Sequence, residues 1–151
     1  MSEQGSEVRR TRKAARKEFL ERAEELWDSF NEWHEGHPDA SFDEMEEEIG
    51  RQRRAIMGEF LELNLRQGDL GASPEAPGCR QCGQPMAFKG YRQKSVQGLE
   101  SEAEIPRAYY HRSTCKVGVF PLDRRLRLRR DSWSERLVQT AGRLGTTQPS
   151  F

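Results

Sequence analysis

Two hydrophobic periodicities meet in this chain, and they constrain its fold more than any single motif does. Before residue 68, apolar residues recur every three to four positions. Phe19, Ala23, Leu26, Phe30 and Trp33 form one stripe, with Trp27 beside it; Met45, Ile49, Ile56, Phe60 and Leu63 form a second. Each stripe is one face of an α-helix. Gly36-His37-Pro38-Asp39 breaks the pattern between them, and Ser41 with Glu44 has the spacing of a capping box. Asp43, Glu44, Glu46, Glu47 and Glu48 then crowd the turns where the helix dipole favours negative charge. The expectation for residues 1–67 is an acidic αα-hairpin, frayed over residues 1–7, with its first helix starting at Val8 and its second stopping near Gly68. Trp27, Phe30 and Trp33 are expected to pack within it. A lone hairpin buries little, so its stripes are expected to meet a partner helix in a homo-oligomer.

Residues 68–78 read as a linker, because Gly, Pro and small polar residues dominate them. Beyond Cys79 the period shortens towards two. Met86 to Val96 and Ala103 to Tyr110 read as short strands with a turn at Gln97-Gly98. Gly118 to Asp123 reads as an extended piece ending in a Pro turn. An Arg-rich stretch, Arg124 to Arg130, leads to a final helix that Ser132 could cap, with Trp133, Leu137, Ala141 and Leu144 on one face. The fold class expected is therefore α+β: an N-terminal αα-hairpin, a small zinc-ribbon-like β-hairpin module over 79–123, and an Arg-rich segment with a short, truncated helix over 124–151.

Charged residues make up 33% of the chain and apolar ones 34%, where a typical domain carries about 25% charged. That leaves little apolar material to wall a deep substrate cleft, so no small-molecule substrate is expected. No apolar run approaches the ~18 residues of a membrane span, and the first twenty residues lack a signal-peptide core. A cytoplasmic protein without a membrane partner is expected. The formal net charge of zero conceals a split. Residues 1–78 hold 11 Lys/Arg against 19 Asp/Glu, and residues 79–151 hold 14 against 6. Segregation of this kind marks the second half as a candidate for polyanion contact.

Three cysteines, an odd number without an export signal, speak against a disulfide framework. Cys79-Arg80-Gln81-Cys82-Gly83 instead has the form of a zinc knuckle: two thiolates three positions apart, with a glycine for the tight turn after them. A thioredoxin-like redox pair is the rival, but it needs a preceding strand and a following helix, and here Pro77-Gly78 precede and Gly83 and Pro85 follow. A ribbon also needs ligands at the far end of the hairpin. Cys115 lies there; regular spacing would put its partner at 112, which is Arg112, and the nearest substitute is His111. The candidate ligand set for Zn²⁺ is thus Cys79, Cys82, Cys115 and His111, against the alternative of a metal-free ribbon in which Cys115 is a buried thiol. His34 and His37 lack His-Glu-x-x-His spacing and read as exposed helix-end histidines.

Lys89, Arg92, Lys94, Arg107, Arg112, Lys116, Arg124, Arg125, Arg127, Arg129 and Arg130 form a basic set, with Tyr91, Tyr109 and Tyr110 interleaved. Guanidinium groups pair with phosphates and give affinity without reading sequence. DNA is the polyanion expected; the alternative is a solvated face with Leu126 and Leu128 turned inward. No Ser-centred elbow, glycine-rich phosphate loop or converging set of carboxylates supports catalysis.

The order Cys79-x-x-Cys82-Gly83-x-x-Met86, Gly90-Tyr91-Arg92, Ile105-Pro106-Arg107-Ala108-Tyr109-Tyr110, Cys115 and Phe120-Pro121-Leu122-Asp123 resembles the N-terminal part of bacterial insertion-sequence transposases of the ISKra-four family. The resemblance covers about residues 40–145. It implies a pair of zinc knuckles around a hairpin, preceded by an acidic helical segment. Two positions depart from the family: Arg112 stands where it has the first cysteine of the second knuckle, and Lys116 follows Cys115 where glycine is usual. The family's catalytic RNase H-like domain lies far downstream, and only 36 residues follow Cys115. The resemblance therefore implies a non-catalytic DNA-binding and assembly fragment of a transposase, truncated or encoded by a split reading frame. A zinc-ribbon protein-interaction module and a pseudogene remnant are the alternatives.

Overall fold

The computed structural model describes residues 8–146; residues 1–7, where fraying is expected, and 147–151 lie outside the described residues. Helix α1 spans Arg12–Gly36 and α2 spans Phe42–Leu65. Thr11 caps α1, its hydroxyl accepting from the Ala14 N–H at 3.2 Å. Ser41 closes the expected capping box on α2. Its Oγ accepts from Glu44 N at 3.3 Å, while Glu44 Oε2 accepts from Ser41 N at 2.7 Å, and these bonds hold the Glu44 carboxyl below its ordinary pKa.

Strands β1 (Ala87–Gln97), β2 (Glu102–Arg112) and β3 (Val117–Val119) form one antiparallel sheet in the order β1-β2-β3. The bounds of β1 and β2 agree with the expected strands to within two residues, while only Val117–Val119 near the expected extended piece is a strand, and the fold is α+β. Gln97 pairs with Glu102, so residues 98–101 make the turn. Between Phe88 and Tyr91 the register shifts at a β-bulge, with Gly90 in the left-handed region at φ +91°. Pro121 opens helix α3 (Pro121–Arg125) near its first position, where a fixed φ and a missing N–H cost nothing. The Pro turn expected there is thus a short helix. The final helix, α4, spans Glu135–Thr146. Ser134, not Ser132, caps it, accepting from Leu137 N at 3.1 Å; the Ser132 carbonyl is engaged by Gln97 N at 2.6 Å. Trp133 precedes this helix and is 52% exposed, Leu137 is half-buried, and Leu144 is 69% exposed, so the expected apolar face is only partly buried.

The helical hairpin and the sheet share one core. Leu70, Ala103, Ile105 and Leu122 are buried together, and Val8, Leu65, Tyr91, Val96, Leu126 and Leu128 pack around them. Helix α2 lies directly on β2: a Cβ built on Gly58 would sit 1.6 Å from the Glu102 carbonyl oxygen. Arg54 clasps the β1–β2 turn from α2, donating to the carbonyls of Leu99 (3.0 Å) and Gly98 (3.1 Å). Much of the partner surface expected from a second chain is therefore the protein's own sheet.

The expected linker over 68–78 is, at its start, part of this core. Leu70 is fully buried, and its carbonyl accepts from Ala108 N at 2.9 Å. Asp69 accepts from Gly71 N at 2.8 Å. Gly71, at φ +88°, passes so near Leu122 that a Cβ would meet its backbone nitrogen at 2.8 Å. Composition reads the glycines and prolines; burial follows the one leucine among them. Helix α1 is held more loosely, through buried Ala15, a Phe19–Phe60 ring contact at 4.9 Å and a hydrogen-bonded ion pair from Arg22 to Glu59. Trp27, expected to pack, is 71% exposed.

Candidate functional site

The two ends of the β-hairpin build matching loops. In the first, Gly78 bridges Pro85, Cys79 N donates to Gln84 O (2.9 Å), and Gly83 N donates to Cys79 O (2.8 Å). Gly83 takes φ +70°, which glycine adopts without steric cost. In the second, Arg112 pairs with Val117 across the β2–β3 turn, and Lys116 takes φ +53°. Each loop thus places a cysteine immediately before a left-handed residue: Cys82 before Gly83, and Cys115 before Lys116. By the same correspondence Arg112 stands opposite Cys79.

These loops bring three sulfurs together. The Sγ atoms of Cys79, Cys82 and Cys115 all lie within 4.8 Å of one another. A tetrahedral ion at about 2.3 Å from each sulfur wants the sulfurs roughly 3.8 Å apart, so the donor set fits a soft or borderline metal ion after a small contraction. Cys79 is buried against Met86, Ala108 and Tyr110, Cys115 is half-buried, and Cys82 is exposed. Tyr110 anchors this wall through its hydroxyl, which accepts from Ser73 N at 3.1 Å. The Gln84 N–H donates to the Cys82 sulfur; with further hydrogen bonds from Cys115, Arg112 and Cys79 it brings the Cys82 thiol down to about 7. Cys115, facing that sulfur, is pushed up to about 11. All three cysteines are unpaired, and the element after the Cys79–Cys82 turn is strand β1, so the helix that a thioredoxin-like pair needs is not formed.

His111, expected as the fourth ligand, is not among the clustered donors. The reason is strand parity. Successive side chains leave opposite faces of a strand, and Tyr110, in the wall behind Cys79, is the residue next to His111. His111 goes with Tyr109, whose ring lies 6.2 Å away, while Arg112 follows Tyr110 to the sulfur side and hydrogen-bonds Cys82. Alternation from Tyr110 was visible in the sequence and separates His111 from Arg112.

The expected DNA-contacting residues divide into two groups. Arg107 is internal: 8% exposed, it donates to Asp123 at 2.6 Å and lies 3.8 Å over the Phe120 ring. Arg112 helps to lower the Cys82 thiol. Arg125 pairs with Asp69 (2.8 Å), and Arg129 pairs with Asp131 and Glu135, each at 3.0 Å. Lys89, Arg92, Lys94, Lys116, Arg124, Arg127 and Arg130 have no ion-pair partner among the described residues. Arg92 lies 3.9 Å over the Tyr109 ring, and Lys94 donates to the Arg130 carbonyl. The sequence carries no local signal for these contacts of Arg107, since Asp123 and Phe120 lie well beyond it in the chain.

Among the described residues, no helix is long and apolar enough to cross a membrane. Compared with known proteins, the chain matches no family model, no curated protein and no solved structure.

Proposed function

We propose that this chain is a non-catalytic DNA-binding and assembly module, of the kind found at the front of an insertion-sequence transposase, in which a metal ion on Cys79, Cys82 and Cys115 rigidifies the β-hairpin. One observation carries the DNA reading: seven Lys and Arg side chains on β1, the β2–β3 turn, α3 and the segment after it have no acidic partner among the described residues, although the chain holds as many acids as bases. The acids are spent elsewhere, largely on the helical hairpin. Zn²⁺ is the ion that best suits cysteine ligands at this spacing and a purely structural task.

The test is the salt dependence of binding to a labelled DNA duplex. Seven phosphate contacts at most give a slope of log K against log salt near −6. Affinity then falls about 4 × 10³-fold between ~50 and ~200 mM salt. Substituting Arg124 and Arg127 together with alanine lowers the slope by about two. An affinity indifferent to salt refutes the reading.

A protein-interaction role is the second reading, favoured by the exposed apolar side chains of the helical hairpin: Phe42 at 76%, Trp27 at 71% and Leu61 at 48%. Self-association through this hairpin predicts a mass in solution above that of one chain, and a Trp27→Glu change returns it to monomer. A monomer at all concentrations excludes it.

A further inference from the structure

A second run of bases reaches the Arg-rich segment from the other end of the chain. Arg9 lies just before α1, and Arg12, Lys13 and Arg16 occupy its first turns. Arg16 stands four residues after Arg12 and three after Lys13, so these three share one stripe of the helix. All four side chains are exposed, and none has an ion-pair partner among the described residues. Their neighbours differ: Arg10 pairs with Glu18 at 3.0 Å and Lys17 with Glu21 at 3.4 Å.

Helix stability gives no reason for cations at this place. The N-terminal end of a helix is the positive pole of its dipole and favours acids. Helix α2 obeys, with Asp43 and Glu44 in its first turn, whereas α1 has no acid in its first turn.

The fold sets the start of this stripe beside the basic segment after α3. Arg10 N donates to the Arg66 carbonyl at 2.8 Å, and Arg66 Nε donates to the Val8 carbonyl at 2.6 Å, which ties the entry of α1 to the end of α2. Val8 packs on the same core cluster as Leu126 and Leu128, the leucines that alternate with the arginines. Asp69, just beyond Arg66, pairs with Arg125 at 2.8 Å. Its carboxyl is held below the ordinary range by the Gly71 N–H first and then by Arg125, with the charge of Arg9 adding to them. Two basic runs from opposite ends of the chain thus meet at one exposed acid.

We propose, on the DNA reading above, that the DNA-contacting surface continues from the segment after α3 onto α1, where Arg9, Arg12, Lys13 and Arg16 hold phosphates of the same duplex. The stripe runs roughly 10 Å, the length of about three phosphates on one strand.

The test compares the full chain with its Arg12→Gln/Lys13→Gln/Arg16→Gln variant in the salt titration against a labelled duplex. Glutamine is a good helix former, and removing cations from the positive pole leaves Tm equal or higher. Three fewer phosphate contacts make the slope of log K against log salt shallower by about 2.7, so the affinity gap between parent and variant narrows about 40-fold between ~50 and ~200 mM salt. Lysine acetylation read by mass spectrometry supplies a readout that overall charge does not move: the duplex protects Lys13 of the parent. If the parent binds with its salt dependence but the variant keeps the same slope, or Lys13 stays reactive in the complex, the surface stops short of α1 and the DNA reading stands. A parent whose affinity ignores salt overturns both. If the stripe instead holds the acidic hairpin of a second copy, the parent is a dimer without DNA and the variant a monomer with the parent's slope, which also overturns the proposal.

Discussion

Two alanine substitutions in one helix separate the packing described here from helix propensity alone. Gly50 and Gly58 both lie inside α2, and in an isolated helix either Gly→Ala change is worth about 1 kcal/mol of stabilisation. Their surroundings differ. A Cβ on Gly50 meets nothing within 4 Å, whereas one on Gly58 falls 1.6 Å from the Glu102 carbonyl oxygen and 2.3 Å from its carbon. Ordinary C···O contact lies near 3.3 Å, so α2 must retreat roughly 1.7 Å from β2. The obstacle is backbone, and it cannot rotate away as a side chain could. Retreat loosens Ile56 and Leu63, now 5% and 6% exposed on the same helix. Overpacking costs about 1–3 kcal/mol and partial loss of two buried side chains a similar amount. After the propensity gain, Gly58→Ala is destabilising by about 3 kcal/mol, a fall in Tm of roughly 6–12 °C at this size. Gly50→Ala is neutral or stabilising by up to about 1 kcal/mol. Urea titration of both variants at fixed pH is the assay. Equal behaviour at the two positions would refute the close contact between hairpin and sheet.

Arg107 and Asp123 make a second case. Asp123→Ala strands a buried guanidinium and costs about 3 kcal/mol or more, while Arg107→Met combined with Asp123→Ala recovers most of that loss; thermal melts check this, and a double variant no better than the single one contradicts it. Glu62 gives a pH dependence. Burial, with Glu18, Glu59 and Glu104 nearby, raises its carboxyl above the ordinary range despite the pair with Arg66. Its folded pKa exceeds its unfolded one, so its contribution is fully present below the unfolded value and is lost as pH rises through the folded one. Glu62→Gln keeps an acceptor for Arg66 and is more stable than the parent at pH ~7, with the advantage vanishing below pH ~4. An advantage that persists unchanged into acid would show that the charge is not the cause.

Local patterns carried much of the architecture. The capping box at Ser41, the break at Gly36-His37-Pro38 and the alternation in β1 and β2 are short-range signals, and each element formed within a few residues of its expected place. The cysteine knuckle was equally local, since Gly83 and the Cys-x-x-Cys spacing define the turn by themselves. What composition obscured was tertiary. Leu70 looked like linker because its neighbours are glycines, yet its side chain is the centre of the core. Trp27 sits beside the apolar stripe of α1 but on the outward turn of the helix. His111 was expected as a ligand from distance along the chain, where parity from Tyr110 selects Arg112 for the sulfur side. Arg107 belonged to a basic run only in one dimension; in three it is spent on Asp123 and Phe120.

Metal content tests the central claim most directly. The full chain, expressed with zinc and purified without chelator, is weighed by native mass spectrometry beside Cys115→Ser. One zinc ion per chain in the parent is predicted, with loss of the ion in the variant and in the parent after chelation, accompanied by a lower Tm because binding free energy is folding free energy at such a site. A metal-free parent whose melting is indifferent to added zinc would contradict the account.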